Sequence, residues 1–195
     1  MSFLFPTVLH IIHTDSFFEV KDQLIEYAYE EKKKDSEGVS RSNIGGWHSN
    51  INYNESDNIL AYVIGEFVKS YFVHNSIFKD NCEAYLTSLW ININKKGDFN
   101  YNHVHPCSHL SGVMWIKCTQ ESGNIEFISP SAFSEAEERE TYSESFKKKM
   151  NIHDSYALEP KEGTILLFPA DLQHKVLPNN SDEDRISASF NIRFK

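Results

Sequence analysis

The fold is decided by the segment "GTILLFPADLQHKVLPNNSDEDRISASFNIRF", residues 163–194. Its beginning, "GTILLFP" (163–169), is almost continuously apolar, which predicts a buried strand that ends in a turn at the proline. Its end, "RISASFNIRF" (185–194), alternates polar and apolar side chains. Because successive side chains of a strand point to opposite sides, this alternation predicts a strand with one polar and one apolar face. The C-terminal part of the chain is therefore expected to be β-structure.

The upstream sequence adds further strands and two helices. Short runs rich in β-branched and aromatic residues predict strands at 83–94, 112–118 and 124–129. Apolar residues recur at helical spacing in 16–35, with Asp15 or Ser16 as N-cap, and in 56–75, where the Ser-Asp start suits a cap. A Ser-, Gly- and Asn-rich loop, 36–50, joins these helices, and a short initial strand is expected before the first.

Helices followed by a run of short strands indicate an α+β protein built on an antiparallel barrel or sandwich. We expect one domain over 1–195, with 1–80 as a mainly helical support layer and 83–195 as the β-core. The polar and charged stretch 131–156 is expected to form an insertion or lid between strands.

Composition narrows the function classes. The net charge of −9 argues against a general nucleic-acid binder, because such proteins usually present a basic face to phosphates. Three cysteines without paired spacing argue against a disulfide framework. No stretch reaches the length of a membrane span, and the N-terminus lacks the features of a signal peptide. The expectation is a reduced, cytoplasmic protein.

Histidines near the middle of the chain suggest a metal site. In "NYNHVHPCSHLSGVMWI" (100–116), His103 and His105 are two residues apart, so on a strand they would project to the same side. With nine histidines in the chain, a His-x-His pair alone is weak evidence. A third ligand is available in His174, which follows the strand 163–169 and the turn at Pro169. The alternative is that His174 is an ordinary polar turn residue.

Arg185 and Ser187 lie on the polar face of the last predicted strand. If that face lines the interior, Arg185 points inward, where a cation without an anion is costly. A carboxylate of a cosubstrate, held bidentately, would offset that cost. The alternative is an edge strand whose polar face lies in water.

These motifs together resemble the iron- and 2-oxoglutarate-dependent oxygenases. That superfamily carries His-x-Asp, a distant His, and Arg-x-Ser about ten residues later; here "GDFNYNHVHP" holds the first ligands, and Arg185 and Ser187 follow His174. The strings "LFPT", "SNIGGWHS" and "HVHPCSHLSGVMWI" further resemble a subfamily seen in marine bacteria and phages, in which His-x-His-Pro is normal. This extends the resemblance over nearly the whole chain.

The resemblance implies a double-stranded β-helix, a jelly-roll or cupin-like barrel, with the N-terminal helices packed on one sheet. It implies a hydroxylase that uses Fe(II), 2-oxoglutarate and O₂ and releases succinate and CO₂. His103, His105 and His174 would hold the metal and act in catalysis, while Arg185 and Ser187 would bind 2-oxoglutarate. With three neutral imidazoles as ligands, the complex of Fe(II) with dianionic 2-oxoglutarate has no net charge, whereas two histidines and a carboxylate give it a net charge of −1. Imidazoles alone also leave the identity of the metal less certain.

The resemblance and strand alternation together suggest the remaining pocket residues. Asn94 stands where related enzymes often have a tyrosine that contacts the cosubstrate, and Asn92 shares its face. Ser111 and Trp115 occupy spacings similar to the Thr and Tyr that follow the metal motif in prolyl hydroxylases. Trp90 is expected in the substrate pocket, whereas Trp47 either caps the mouth of that pocket or fixes the helices to the barrel.

Several alternatives stay open at this point. Asp98 or a water could replace His105 as ligand. "GDFNYNHVH" (97–105) also fits the opening of a cupin motif, although Arg185 has no role in a cupin, and a barrel that binds without turnover is a third reading. The substrate, a small molecule or a protein, is not readable, and the aromatic content is compatible with a homodimer. Because ligand imidazoles must be neutral, we expect metal affinity to fall below about pH 6.5.

Overall fold

The computed structural model describes residues 7–50, 58–77, 79, 82–130, 140–150 and 152–195. Three α-helices lie in these ranges: α1 (Phe17–Lys34), α2 (Ile59–His74) and α3 (Glu144–Met150). None of the helices in these described ranges is long and apolar enough to cross a membrane.

The helix starts differ slightly from those predicted. The side chain of Ser16 makes no capping hydrogen bond at the start of α1. The cap of α2 is Asn58, whose Oδ1 accepts hydrogen bonds from the backbone N–H groups of Leu60 at 3.0 Å and Ala61 at 3.2 Å. The Ser-Asp pair proposed for this cap, 56–57, lies outside the described residues.

Eleven strands occur in the described part of the chain, and each pairing between them is antiparallel. Their bounds are β1 (His10–His13), β2 (Asn43–Ile44), β3 (Trp47–His48), β4 (Ala84–Asn94), β5 (Phe99–His103), β6 (Leu110–Lys117), β7 (Ile125–Ile128), β8 (Ser155–Leu158), β9 (Thr164–Pro169), β10 (His174–Val176) and β11 (Arg185–Phe194). They form a six-stranded sheet, in the order β1-β9-β6-β11-β4-β3, and a five-stranded sheet, in the order β2-β5-β10-β7-β8.

Three regions differ from the sequence-based expectation. The loop 36–50 contains two short strands, β2 and β3, each of which joins a different sheet. The stretch 131–156 does not remain an insertion to its end, because α3 occupies its middle and Ser155 begins β8, which pairs with β7. Residues 131–139 of that stretch lie outside the described residues. Strands β5 and β10 were not delimited from sequence.

The long helices pack on one face of the six-stranded sheet. Ile186, Ala188 and Phe190 of β11 are fully buried in one apolar cluster with Leu24 of α1 and Ile64 of α2. This is the apolar face predicted from the alternation in 185–194. The opposite face of β11 therefore points away from the helices, toward the second sheet.

A second apolar cluster joins the two sheets. It contains Trp115 of β6 and Phe168 of β9 from the six-stranded sheet, together with Ile125 and Phe127 of β7 from the five-stranded sheet. These side chains hold the sheets together beside a cavity that opens between them.

Close packing in the first cluster gives a prediction for stability. A Cβ atom on Gly112 of β6 would overlap the ring of Phe190 and lie 2.8 Å from Leu167 Cδ2. Gly112→Ala should therefore lower the free energy of unfolding by about 1–3 kcal/mol through overpacking. Gly65→Ala is the matched control, since nothing lies within 4 Å of its added Cβ on α2 and alanine favours a helix by about 0.5–1 kcal/mol. Equal effects of the two substitutions in urea unfolding would contradict this packing.

Candidate metal centre and adjoining cavity

Three histidines converge where the ends of two paired strands meet. His103 ends β5 and His174 begins β10, and the two are direct partners in the strand register. His105 lies two residues beyond β5, where its backbone N–H donates to the carbonyl of Ala170 at 2.8 Å. One ligand atom from each of the three imidazoles lies within 4.8 Å of the others. The predicted ligands are thus brought together, although His105 is not on a strand.

The backbone hydrogen bonds of two rings are made by Nδ1 and leave Nε2 without a backbone partner. Nδ1 of His103 is 2.7 Å from the carbonyl oxygen of Tyr101, and Nδ1 of His174 is 2.8 Å from that of Leu172. A carbonyl can only accept, so Nδ1 carries the proton in each ring and Nε2 keeps a lone pair. Backbone partners of this kind fix the tautomer and orientation of metal-binding histidines.

The spacing of the lone pairs fits a metal ion. Nε2 of His105 is 3.3 Å from Nε2 of His174. Two nitrogens that each bind an ion at about 2.1 Å lie about 3 Å apart when the angle between them is close to 90°. Two neutral acceptors gain nothing from facing each other without a cation or proton between them. Imidazoles bind Fe, Zn, Cu and Ni, so this donor set suits a transition metal.

The three rings are held in the neutral form. Burial, together with the neighbouring His103, lowers the pKa of His174 to about 3 and that of His105 to about 4. Burial also lowers the pKa of His103. Because the pKa values of His105 and His174 lie well below 6.5, the expected loss of metal affinity from ligand protonation moves to lower pH than the sequence alone suggested.

Asp98, the alternative third ligand, lies elsewhere. Its Oδ2 accepts a hydrogen bond from the backbone N–H of Lys95 at 2.7 Å, in the turn before β5. It does not belong to the metal-capable group formed by His103, His105 and His174 among the described residues. The geometry therefore favours His105 over Asp98.

The histidines line a cavity of about 590 Å³ between the two sheets. The described residues on its walls include eight of the predicted site residues: Trp90, Asn92, Asn94, His103, His105, His174, Arg185 and Ser187. Trp115 also lines the cavity, as predicted for the substrate pocket. The size lies within the range of small-molecule sites.

Arg185 is the largest fully buried side chain among the described residues, with 1% of its surface exposed. Its Nη1 donates to the carbonyl oxygens of Ser122 and Leu177, the latter at 3.0 Å. Its Nη2 is buried without a hydrogen-bond partner, and the ion pairs of the described residues do not include this guanidinium. Burial lowers its pKa to about 10, so the group remains a cation at neutral pH. A buried cation of this kind calls for an anion.

Polar side chains surround this cation. Asn94 faces Arg185 and Asn92 faces Ser187 in the register of β4 and β11. The Nδ2 of Asn92 donates to Ser189 Oγ at 3.2 Å, while its Oδ1 is buried without a partner. A half-turn of the amide would offer Nδ2 to the cavity and Oδ1 to the hydroxyl of Ser189, because the two ends of an amide have nearly the same shape. These side chains can therefore solvate a bound carboxylate.

Two predicted site residues do not line the cavity. Trp47 is 5% exposed within the helix-facing apolar cluster, and its Nε1–H donates to the carbonyl of Asp35 at 2.7 Å. Of the two roles suggested for Trp47 from sequence, the structure supports the second, because Trp47 fixes the segment after α1 to the sheet and does not line the pocket. The hydroxyl of Ser111 donates to Asn191 Oδ1 at 2.7 Å, in the strand pair β6–β11 beyond the cavity wall. A role for Ser111 in cosubstrate binding therefore has no support from this placement and stays a prediction.

The chain matches the family described as "Putative 2OG-Fe(II) oxygenase" over residues 88–191, more than half of its 195 residues. The chain belongs to this family of 2-oxoglutarate- and Fe(II)-dependent oxygenases. Comparison with curated proteins gives no match. The match includes every predicted metal ligand and Arg185, so the cupin alternative is not supported.

Solved structures with the same fold share little sequence with this oxygenase. A prolyl-4-hydroxylase from Pseudomonas putida has a TM-score of 0.63 at 12% identity, covering 96% of this chain and 92% of the other. A viral collagen prolyl hydroxylase from Paramecium bursaria Chlorella virus-1, in complex with 2-oxoglutarate, has a TM-score of 0.59 at 15% sequence identity, and the match covers 94% of each chain. HygX from Streptomyces hygroscopicus, with nickel and 2-oxoglutarate bound, has a TM-score of 0.60 at 12% sequence identity. The match covers 96% of this chain and 83% of HygX.

His48 also lines this cavity, although the sequence did not single it out as a site residue. Its ring stacks on Trp90, with ring centres 5.6 Å apart and an angle of 10° between the planes, and Trp90 in turn lies 5.5 Å from the ring of His105. His48 is buried on the cavity wall, and burial lowers its pKa. The neighbouring residue could have indicated this position. Trp47 and His48 point to opposite sides of β3, so if Trp47 lies in the core, His48 faces the cavity.

The histidine cluster predicts how stability depends on pH when a chelator keeps metal away. Burial disfavours the protonated rings, so the unfolded chain binds more protons between about pH 6.5 and pH 4. The free energy of unfolding should therefore fall as pH drops from 7.5 to 5.5, with the loss reduced in His174→Asn. Urea unfolding with EDTA measures it. An equal loss in the variant would contradict this role of the cluster.

Proposed function

We propose that this oxygenase hydroxylates a C–H group of its substrate, with Fe(II) held by His103, His105 and His174. In this proposal, Arg185 and Ser187 bind the carboxylate of 2-oxoglutarate that is remote from the metal. The observation that carries the proposal is the placement of three neutral imidazoles and a buried guanidinium with an unpaired Nη2 in one cavity. The first group suits a transition metal and the second suits a carboxylate.

The side chains prepare this site before any substrate enters. The carbonyls of Tyr101 and Leu172 hold His103 and His174 as Nδ1–H tautomers, so each Nε2 is ready to bind a metal. Arg185 is preorganised by its two backbone carbonyl partners, which keep Nη2 free for an anion. Bound Fe(II) and 2-oxoglutarate supply the oxidative chemistry, in which O₂ is reduced, 2-oxoglutarate becomes succinate and CO₂, and a substrate C–H becomes C–OH.

The walls of the cavity restrict access of water. Trp115, Ile125 and Phe168 are almost fully buried on one side, and Trp90 lies against His105 on another. Apolar walls strengthen the electrostatic interactions inside a site and limit side reactions with water. We assign these residues to that role and, for Trp90 and Trp115, to contact with the substrate.

We further propose that the two antiparallel sheets form the double-stranded β-helix, or jelly roll, of the superfamily within a single domain over 1–195. The solved structures of similar fold and the second apolar cluster between the sheets support this assignment. The proposal includes a cytoplasmic location, a small-molecule or protein substrate, and no role for nucleic acid. Self-association as a homodimer stays a prediction, which sedimentation of the purified protein would test.

Formation of succinate tests the proposed function. Protein reconstituted with Fe(II) is supplied with 2-oxoglutarate and O₂, and succinate is measured over time. We expect more succinate from the natural protein than from His174→Ala at the same iron concentration, which corrects for free iron. Equal succinate from the two proteins, despite bound 2-oxoglutarate, would favour a barrel that binds without turnover.

A further inference from the structure

The walls of the cavity carry positive charge in a chain that is acidic as a whole. The chain has 28 Asp and Glu against 19 Lys and Arg, yet none of the described residues that line the cavity is acidic. The lining includes two arginines, Arg41 and Arg185, and four histidines whose pKa values are lowered. The four imidazoles are neutral near pH 7, so the two guanidinium groups set the charge of the walls.

Arg41 lies at the mouth of this cavity, whereas Arg185 is buried in its wall. The side chain of Arg41 is exposed, and it takes part in none of the ion pairs within the described part of the chain. An isolated surface arginine would usually be a solvated side chain. Arg41 differs because it borders the wall of a cavity that holds the candidate metal site.

Hydrogen bonds fix the backbone of Arg41 beside the histidine cluster. Its carbonyl accepts from Tyr101 Oη at 3.2 Å, and its N–H donates to Asn43 Oδ1 at 2.7 Å. The next residue, Ser42, lies with its Oγ 3.4 Å from Nε2 of His103. Arg41 is thus one residue away from a contact with a proposed metal ligand. Its positive charge also lowers the pKa of His48 on the same wall.

The charges show why the cosubstrate does not account for Arg41. Fe(II) and the two arginines contribute +4, and dianionic 2-oxoglutarate, bound between the metal and Arg185, contributes −2. With both bound, a surplus of +2 would remain in the cavity, one charge at the metal and one at Arg41. Apolar walls focus such a potential and attract ligands of the opposite charge.

We propose that the substrate is a small organic anion, and that Arg41 binds its carboxylate or phosphate group at the mouth of the cavity. This inference rests on the proposed function and narrows its substrate class. The planar guanidinium binds either group through two parallel hydrogen bonds, so the two anions share one recognition chemistry. The apolar side chains of Trp90 and Val104 at the same cavity would contact the carbon skeleton of the substrate.

Calorimetry with matched probes tests this inference. The protein is loaded with Ni(II) in place of Fe(II) and saturated with 2-oxoglutarate, so that Arg185 is occupied. It is then titrated with 4-phenylbutyrate, with phenyl phosphate, and with the neutral analogue 4-phenylbutyramide. The comparison is repeated with Arg41→Gln and with Arg193→Gln, an exposed arginine on β11 outside the cavity lining.

We expect at least one anion to bind more tightly than the amide, and Arg41→Gln to weaken that anion roughly tenfold, or about 1.4 kcal/mol. Arg193→Gln should leave the preference unchanged, and added salt should reduce it because the group is exposed. The stronger of the two anions identifies the group that the site prefers. No preference for an anion, or a preference that survives Arg41→Gln, would overturn the inference. Failure of the natural protein to bind 2-oxoglutarate at all would instead contradict the proposed function, and this inference with it.

Discussion

Replacement of His174 with alanine is expected to remove high-affinity metal binding. His174 is 3% exposed, and its Nε2 faces that of His105 at 3.3 Å, so the substitution deletes a donor from the centre of the cluster. Loss of a residue that merely orients a ligand costs about 10–100-fold in metal affinity, and loss of the ligand itself should exceed this. Titration of the protein with Fe(II) under anaerobic conditions measures the dissociation constant.

Two controls separate metal binding from folding in this experiment. His74→Ala removes an exposed imidazole at the end of α2, far along the chain from the cluster, and should leave metal affinity unchanged. His105→Asp restores the His-x-Asp pattern common in the superfamily and should retain metal binding. Metal affinity that survives His174→Ala, in a variant with native circular dichroism, would mean that the three imidazoles are not the ligands.

Replacement of Arg185 with methionine is expected to abolish useful binding of 2-oxoglutarate without unfolding the protein. Each hydrogen bond to a charged group is worth about 1.5–3 kcal/mol, so loss of a bidentate carboxylate contact should weaken binding by 100-fold or more, on the order of 3 kcal/mol. Methionine fills a similar volume without a charge. Removal of the guanidinium relieves a buried, unpaired charge but deprives the carbonyls of Ser122 and Leu177 of their donor, so the net change in stability should be small.

Isothermal titration of the Ni(II)-loaded protein with 2-oxoglutarate measures this effect. Arg193→Met is the matched control, since Arg193 is exposed near the end of the same strand. Affinity for 2-oxoglutarate that is equal in Arg185→Met and in the natural protein would remove the cosubstrate role of Arg185. A large loss of stability in Arg185→Met would show that the main role of the guanidinium is to stabilise the fold.

The core of the site could be predicted because its residues follow simple periodicities. Alternation along 185–194 placed Arg185 and Ser187 on the cavity side and Phe190 on the helix side, and the structure has both placements. The same rule placed Trp90, Asn92 and Asn94 together on β4. A side chain on a regular strand has only two sides to choose from, and the apolar residues determine which one is buried.

What could not be predicted lies where regular periodicity ends. β10 has three residues and is preceded by a turn, so the polar string around His174 gave no strand signal of its own. His105 reaches the cluster from beyond the end of β5, through a backbone contact with Ala170 that depends on a distant segment. Ser111 lies on the expected face of β6, but its hydroxyl donates a hydrogen bond to Asn191. Such partners are set by tertiary contacts rather than by local sequence.

The segment 40–49 shows the same limit at the mouth of the cavity. Its Ser, Gly and Asn content predicted a loop, yet β2 and β3 attach it to both sheets. Gly46 adopts a positive φ of 64°, and a Cβ there would lie 3.3 Å from the carbonyl of Ile93, so the backbone passes close to β4. This approach carries Arg41 and His48 to the cavity, which no local pattern indicated.

The central claim is that one metal ion and 2-oxoglutarate meet in this cavity, and optical spectroscopy in the absence of oxygen tests it most directly. Fe(II)-loaded protein is mixed with 2-oxoglutarate, and the visible difference spectrum is recorded for the natural protein, His174→Ala and Arg185→Met. We expect a metal-to-ligand charge-transfer band in the natural protein that both substitutions abolish at the same ligand concentrations. A natural protein that binds Fe(II) yet develops no such band with saturating 2-oxoglutarate would contradict the account.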